Sequence, residues 1–209
     1  SGGFSGSFDL DPGLGNTILT SGGSMDAFIG VFNLNMMPLA AHAISGTMDQ
    51  FGGIFHQTDK DEIYLFGAFE GTVDLDLSPA TNFFLAGSTN DGYLLKFDTI
   101  GNYQSCASLV CNHNFIYRGI TSDTCGNILL TGLFTGQLDC DMTNGTFQIN
   151  SNNTLSDALL MKYNSYGCSI TGLADYIKPE FIVFPNPAKS GSNIVVKIPE
   201  LIEDVEIID

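Results

Sequence analysis

The 209-residue chain has no tryptophan, only seven basic side chains against 23 acidic ones, and only three histidines. It also lacks any apolar run long enough to cross a bilayer as a helix, which takes about 18 or more residues. Each shortage removes a class of function. A formal charge of -16 repels nucleic-acid phosphates and anionic membrane surfaces, and favours cations or neutral ligands. The N-terminal SGGFSGSFDLDPG has neither the basic n-region nor the apolar h-region of an export signal, so any such signal is expected upstream of Ser1. The five cysteines (Cys106, Cys111, Cys125, Cys140 and Cys168) contain no CxxC pair and have no histidine at zinc-finger spacing, which argues against a structural metal site. Their odd number leaves at least one without a partner in the chain. Cys106 and Cys111 are close enough in sequence for a bridge, with free buried thiols as the simpler expectation.

Catalytic signatures are missing as well. His42, His56 and His113 are isolated, there is no HExxH or GxSxG, and no glycine-rich segment runs into Gly-Lys-Ser/Thr. The expectation is a chain without enzymatic activity. Hydrophobic residues make up 44% of it, enough to bury a core, so it is not compositionally disordered.

What the chain has is a repeat. GGFSGSFDLD begins at residue 2, GAFEGTVDLD at 67 and GLFTGQLDCD at 132, each 65 residues after the last. The same offsets carry Gly2, Phe4, Gly6, Asp9 and Asp11; Gly67, Phe69, Gly71, Asp74 and Asp76; Gly132, Phe134, Gly136, Asp139 and Asp141. Downstream, Asp26, Asp91 and Asp157 each open a further strand. Upstream, GIFHQTDKDEIYLFG (53–67) aligns with GITSDTCGNILLTG (119–132), placing Ile63 over Ile128 and Leu65 over Leu130. The first copy lacks that part, so residue 1 falls inside a repeat.

Strand-length apolar segments separated by Gly, Asn, Asp and Ser, without helical spacing, predict an all-β fold. Phe28, Gly30 and Phe32 alternate onto one face, as do Tyr93, Leu95 and Phe97, and Leu159, Met161 and Tyr163. Leu94 and Leu160, on the opposite faces, are apolar too. Sheets apolar on both faces suit units stacked side by side, each sandwiched between two neighbours.

These residues, followed by a Gly-Asn turn as at Gly101-Asn102, resemble the SBBP-type β-propeller repeats of bacterial surface and secreted proteins. The resemblance covers residues 1–173 and implies propeller-like blades of about 65 residues: a partial blade over 1–52 and blades over 53–117 and 118–173. The lysine that ends the third strand in that family is present at Lys96 and Lys162 and replaced by Val31; the usual tryptophan is absent. After a connector at 174–180, residues 181–209 look like the start of the type A C-terminal sorting domain of the type IX secretion system of Bacteroidota, a small β-sandwich. Phe184, Pro185, Asn186, Pro187 and Ala188 carry that likeness, and Pro-Asn-Pro is suited to ending one strand and redirecting the chain. The resemblance implies export through the type IX machinery to the outer cell surface or medium.

The recurrent Asp-x-Asp places two carboxylates on one strand face, at Asp9 and Asp11, Asp74 and Asp76, and Asp139 and Asp141. Such a pair either contributes to an oxygen-ligand Ca²⁺ site or holds a hairpin by accepting backbone amides. Asp98-Thr99-Ile100 resembles the tripeptide O-glycosylated on threonine in secreted Bacteroidota proteins. Phe55, Tyr64, Phe66 and Phe69 are read as core before they are read as a sugar platform. The function expected is a non-catalytic module for adhesion, or for binding a surface glycan, polymer or protein partner. The alternatives are an accessory region of a secreted hydrolase catalytic upstream of Ser1, or a structural spacer.

Overall fold

Period-two alternation gives each strand two usable faces, and the Gly- and Asn-rich breaks between strands return the chain beside itself, so consecutive strands pair antiparallel. The computed structural model describes residues 1–123, 125–143, 145–151 and 155–163, together with the backbone of 179–184 and 195–197. Among the described residues the chain is all-β, without a helix; Cys168 and the Pro185–Ala188 motif lie outside them.

The second unit is complete. β6 (Gln50–Gln57), β7 (Glu62–Phe69), β10 (Asp91–Asp98) and β11 (Tyr103–Cys111) form a meander in which each strand pairs with the next. Between its second and third strands lies a small hairpin of β8 (Thr72–Asp74) and β9 (Phe83–Leu85). The third unit repeats this plan with β12 (Asn114–Ser122), β13 (Ile128–Thr135), β16 (Asp157–Tyr163) and β17 (Pro179–Phe184), and a hairpin of β14 (Gln137–Asp139) and β15 (Gln148–Asn150). The strand beginning at the 174–180 connector therefore pairs with β16, with Met161 opposite Ile182, and β18 (Val195–Lys197) pairs with β17 in turn. The first unit has only β1 (Gly2–Phe4), β4 (Asp26–Phe32) and β5 (Pro38–Ile44), plus the hairpin of β2 (Ser7–Asp9) and β3 (Ile18–Thr20). β1 reaches only to Phe28, which leaves the rest of β4 an open edge on that side among the described residues.

The core lies between units. Leu65, Tyr93, Leu95 and Phe97 on one face of the second sheet pack with Ala27, Ile29 and Ile44 of the first unit. Tyr64, Phe66, Leu94 and Leu109 on its other face pack with Phe115, Leu130, Phe134, Leu159 and Met161 of the third. Tyr64, Phe66 and Phe69 are thus core residues, as the pattern predicts, whereas Phe55, expected to be core with them, is exposed on β6. The second and third hairpins also dock at the end of the last strand of the preceding unit. The Thr47 amide donates to the Thr72 carbonyl at 2.9 Å, and the Asn112 amide donates to the Gln137 carbonyl at 2.9 Å, one repeat further on. Hydrogen bonds as well as apolar burial therefore join the units.

Cys106 and Cys111 are both free and buried. They are five apart on β11, an odd separation that puts them on opposite faces: Cys106 enters the core against the first unit and Cys111 the core against the third. The bridge allowed by their closeness in sequence is therefore excluded by the strand between them.

Candidate functional site

The candidate site follows from the Asp-x-Asp hairpins. In the first unit Oδ1 of Asp9 accepts the amides of Asp11 at 3.0 Å and Thr17 at 2.8 Å, closing the loop between β2 and β3. In the second, Oδ1 of Asp74 accepts Asp76 N at 3.1 Å and Asn82 N at 2.8 Å. In the third, Oδ1 of Asp139 accepts Asp141 N at 3.0 Å and Phe147 N at 2.9 Å. The second carboxylate of each pair accepts the amide two residues on: Gly13 at 2.7 Å, Ser78 at 2.9 Å and Thr143 at 2.9 Å. Such Asx-turn bonds are the ordinary local use of aspartate. Gly6, Gly71 and Gly136, which enter the three hairpins, have φ of 73°, 65° and 85°, a left-handed conformation that glycine adopts without steric cost. All six acids named in the sequence are thus engaged with backbone, and among the described residues no group of three or more His, Cys, Asp or Glu is placed to hold a metal.

Because the second and third hairpins dock on the preceding unit, a cleft opens beside each of them, between that unit's last strand and the Asp-x-Asp loop. The first has a volume of about 350 Å³ and is walled by Ala41, His42, Ala43 and Ser45 facing Asp74, Asp76, Leu77 and Ser78. The second, of about 460 Å³, is walled by Cys106, Ala107, Ser108 and Val110 facing Asp139, Asp141, Met142 and Thr143, with Asn82 and Phe84 at one end. Each of these eight positions in the second cleft stands 65 residues after its counterpart in the first. Both volumes fall in the range of small-ligand sites, about 300–1,000 Å³. The walls combine carboxylates with small and apolar side chains. His42 also donates from Nε2 to the Gly101 carbonyl at 2.9 Å, which orients its ring beside Phe97. Burial raises the Cys106 thiol above its ordinary range, so it is held protonated and is not an activated nucleophile.

The aspartates that open the third strands have a different role. Asp26, Asp91 and Asp157 are all buried. Asp91 accepts Gly87 N at 3.0 Å on Oδ2 and Cys111 N at 2.8 Å on Oδ1, tying the turn before β10 to the far end of β11. Burial pushes its carboxyl up to about 6, against the downward pull of the Cys111 and Gly87 amides. Asp26 makes only the first of these contacts, accepting Gly22 N at 2.6 Å on Oδ2, while its buried Oδ1 has no partner.

The strand turns show a third recurrent device. Asp98 takes the Ile100 and Asn102 amides on Oδ1, and Asp123 takes those of Cys125 and Asn127 in the same way. The Asn127 side-chain amide, followed by the Asn127 and Cys125 backbone amides and Lys162, holds Asp123 at about 2. Thr99 is exposed at the tip of the β10–β11 turn. Its neighbour Lys96 is buried and paired with Glu62 at 2.6 Å, while Lys162, one unit on, pairs with Asp123 at 3.3 Å.

His56 and Ser122 meet at 2.7 Å across the boundary between the second and third units, a contact that sequence spacing could not reveal. No group among the described residues bonds Nδ1 of His56, so the pair has no orienting third member of the kind nucleophilic catalysis uses. Comparison with protein families, curated proteins and solved structures finds no match for the chain.

Proposed function

We propose that this chain is a non-catalytic module of β-propeller type that binds a neutral glycan or a protein partner outside the cell, through the clefts between its units. The observation that carries this reading is the recurrence of one cleft, with equivalent walls, at a spacing of one repeat. Repetition suits a polymer with repeating units, because two weak sites on one rigid body add avidity. Catalysis, by contrast, draws on a few unique groups. Carboxylates on the rim are good acceptors for sugar hydroxyls or amide donors, and the net charge of -16 disfavours anionic polymers.

The blade reading is supported by the four-strand meander, the apolar packing on both faces and the sequence likeness to SBBP repeats. The likeness of residues 181–209 to a type IX sorting domain supports export to the cell surface or medium. The test is a glycan array, followed by biolayer interferometry, on the whole chain and on variants with each cleft filled. Binding to a neutral polysaccharide or surface protein that Ala43→Trp and Ser108→Trp each weaken and jointly abolish is the expected result. No binding to any surface glycan or protein, together with a catalytic domain mapped upstream in the native protein, would overturn it in favour of a hydrolase accessory region.

A further inference from the structure

We propose that a pocket at the junction of the second and third units binds a small organic anion, a single carboxylate on an aromatic or branched apolar body, and that Arg118 holds the carboxylate. The pocket lies where β6 meets β12, has a volume of about 290 Å³, and has Phe51, Asn90, Phe115, Tyr117 and Arg118 in its walls. It shares no residue with the clefts beside the Asp-x-Asp loops. Arg118 is the single arginine of the chain. It is exposed, and among the described residues it makes no ion pair and donates no side-chain hydrogen bond, in a chain with 23 acidic side chains.

A β-bulge places the arginine. Tyr117 pairs with Gly132 and Gly119 with Thr131, so Arg118 is the extra residue on β12, and a bulge re-aims the side chain it carries. β6 is irregular at the same place, between Phe51, opposite Ala68, and Ile54, opposite Phe66. In this pairing register, one residue away from the sequence alignment of Gly53 with Gly119, the counterparts of Tyr117 and Arg118 are Gly52 and Gly53. The bulge is therefore shared by the two units that have this strand, whereas the tyrosine and arginine on it are the third unit's own. The Tyr117 hydroxyl donates to the Gly52 carbonyl at 2.5 Å, and its ring packs edge-on against Phe66 at 6.2 Å. Tyr93 donates to the Phe51 carbonyl at 2.8 Å. Both walls are thus fixed before a ligand arrives, which lowers the cost of binding. The aromatic walls suit an apolar body, and the guanidinium is a planar fork of donors that matches a carboxylate. One guanidinium balances one negative charge. With the chain at -16 overall, ligands of higher negative charge are repelled.

The experiment is isothermal titration calorimetry with saturation-transfer NMR on the whole chain, using phenylacetate, isocaproate, the neutral phenylacetamide and inorganic phosphate. The two carboxylates are expected to bind, and phenylacetamide and phosphate to bind about tenfold more weakly or not at all, the factor that a charge-assisted hydrogen bond carries. Arg118→Gly installs the residue that β6 has at this place, and Arg118→Gln keeps a side chain of similar reach without the charge; circular dichroism melts establish that both fold. Each is expected to weaken both carboxylates by about tenfold or more. Ser108→Trp, which fills a cleft beside an Asp-x-Asp loop, is expected to leave carboxylate binding unchanged, so this site stands or falls separately from the clefts. A wild-type chain that binds neither carboxylate overturns the proposal. So does equal binding of phenylacetate and phenylacetamide, or a folded Arg118→Gly or Arg118→Gln variant that binds the carboxylates as the wild type does. Loss of carboxylate binding in Ser108→Trp overturns it too, by placing the ligand in the cleft.

Discussion

The second unit and the first are built from the same repeat, yet they differ in how they are held. Phe97 and Phe32 are the same residue type at the same repeat position; Phe97 is fully buried between two sheets and Phe32 is half-buried on an end face. Burial in this architecture therefore belongs to the junction between units and not to the unit itself, as in other repeat proteins whose stability is a sum over neighbours. β4 makes the same point at the level of the backbone, pairing with β1 at only three positions while its counterpart β10 pairs with β7 along its whole length.

The sharpest way to break this comparison is to truncate the matched pair. Phe97→Ala is expected to cost about 3–5 kcal/mol in denaturant unfolding, and Phe32→Ala about 1 kcal/mol; equal losses would mean that the first unit is covered as well as the second. The next effect lies at Asp91. Removing it as Asp91→Ala leaves the buried Cys111 amide without an acceptor and frees the exposed Gly87 amide to water, a loss of about 1–3 kcal/mol. The pH dependence has a definite sign. A carboxyl raised to about 6 keeps its proton in the folded state after the unfolded chain has lost its own, so Asp91 subtracts stability as pH rises from about 4 through 6. In Asp91→Asn, stability measured across that window is expected to lose this decline, even though the variant is less stable overall.

A smaller effect separates the two roles of the Asp-x-Asp pairs. Asp74→Ala is expected to cost about 1–2 kcal/mol by releasing the amides of Asp76 and Asn82. Chelation of calcium is expected to leave the melting midpoint unchanged; a fall on chelation that Asp74→Ala abolishes would assign these carboxylates to a cation instead. The smallest effect is at the turns. Met36 and Asp61 have φ of 61° and 59°, at the positions where the next unit has Gly101 and Gly126 with φ of 88° and 83°. Replacing Met36 with glycine is expected to stabilise the fold by about 0.5–1 kcal/mol, and Asp61 by less, because aspartate tolerates this conformation better.

These contrasts also mark what was readable in advance. The all-β fold, the repeat and the shared faces of Tyr93, Leu95 and Phe97 followed from side-chain alternation and from spacing, which are local properties. The Asp-x-Asp motif was legible as a recurrent device, and its two candidate roles were legible too, but its bonds to residues eight further on depend on where each hairpin closes. The clefts were not legible at all, because they arise where a hairpin of one unit meets the last strand of another, as Asp139 meets Val110. The Asp91 bond to Cys111 spans a whole hairpin and strand, and the left-handed Met36 and Asp61 were hidden because the glycine that marks the position is missing from those copies. An alignment of Met36 with Gly101 would have exposed them.

Amide hydrogen exchange followed by mass spectrometry on the whole chain tests most directly the claim that each sheet is stabilised by its two neighbours. Slowest exchange in β7 and β10 of the second unit, with β4 beyond Phe28 exchanging far faster than the matched residues of β10, is the predicted result. Equal protection of β4 and β10 in a monomeric sample would contradict it, because the first unit would then be stable without a neighbour on its open face.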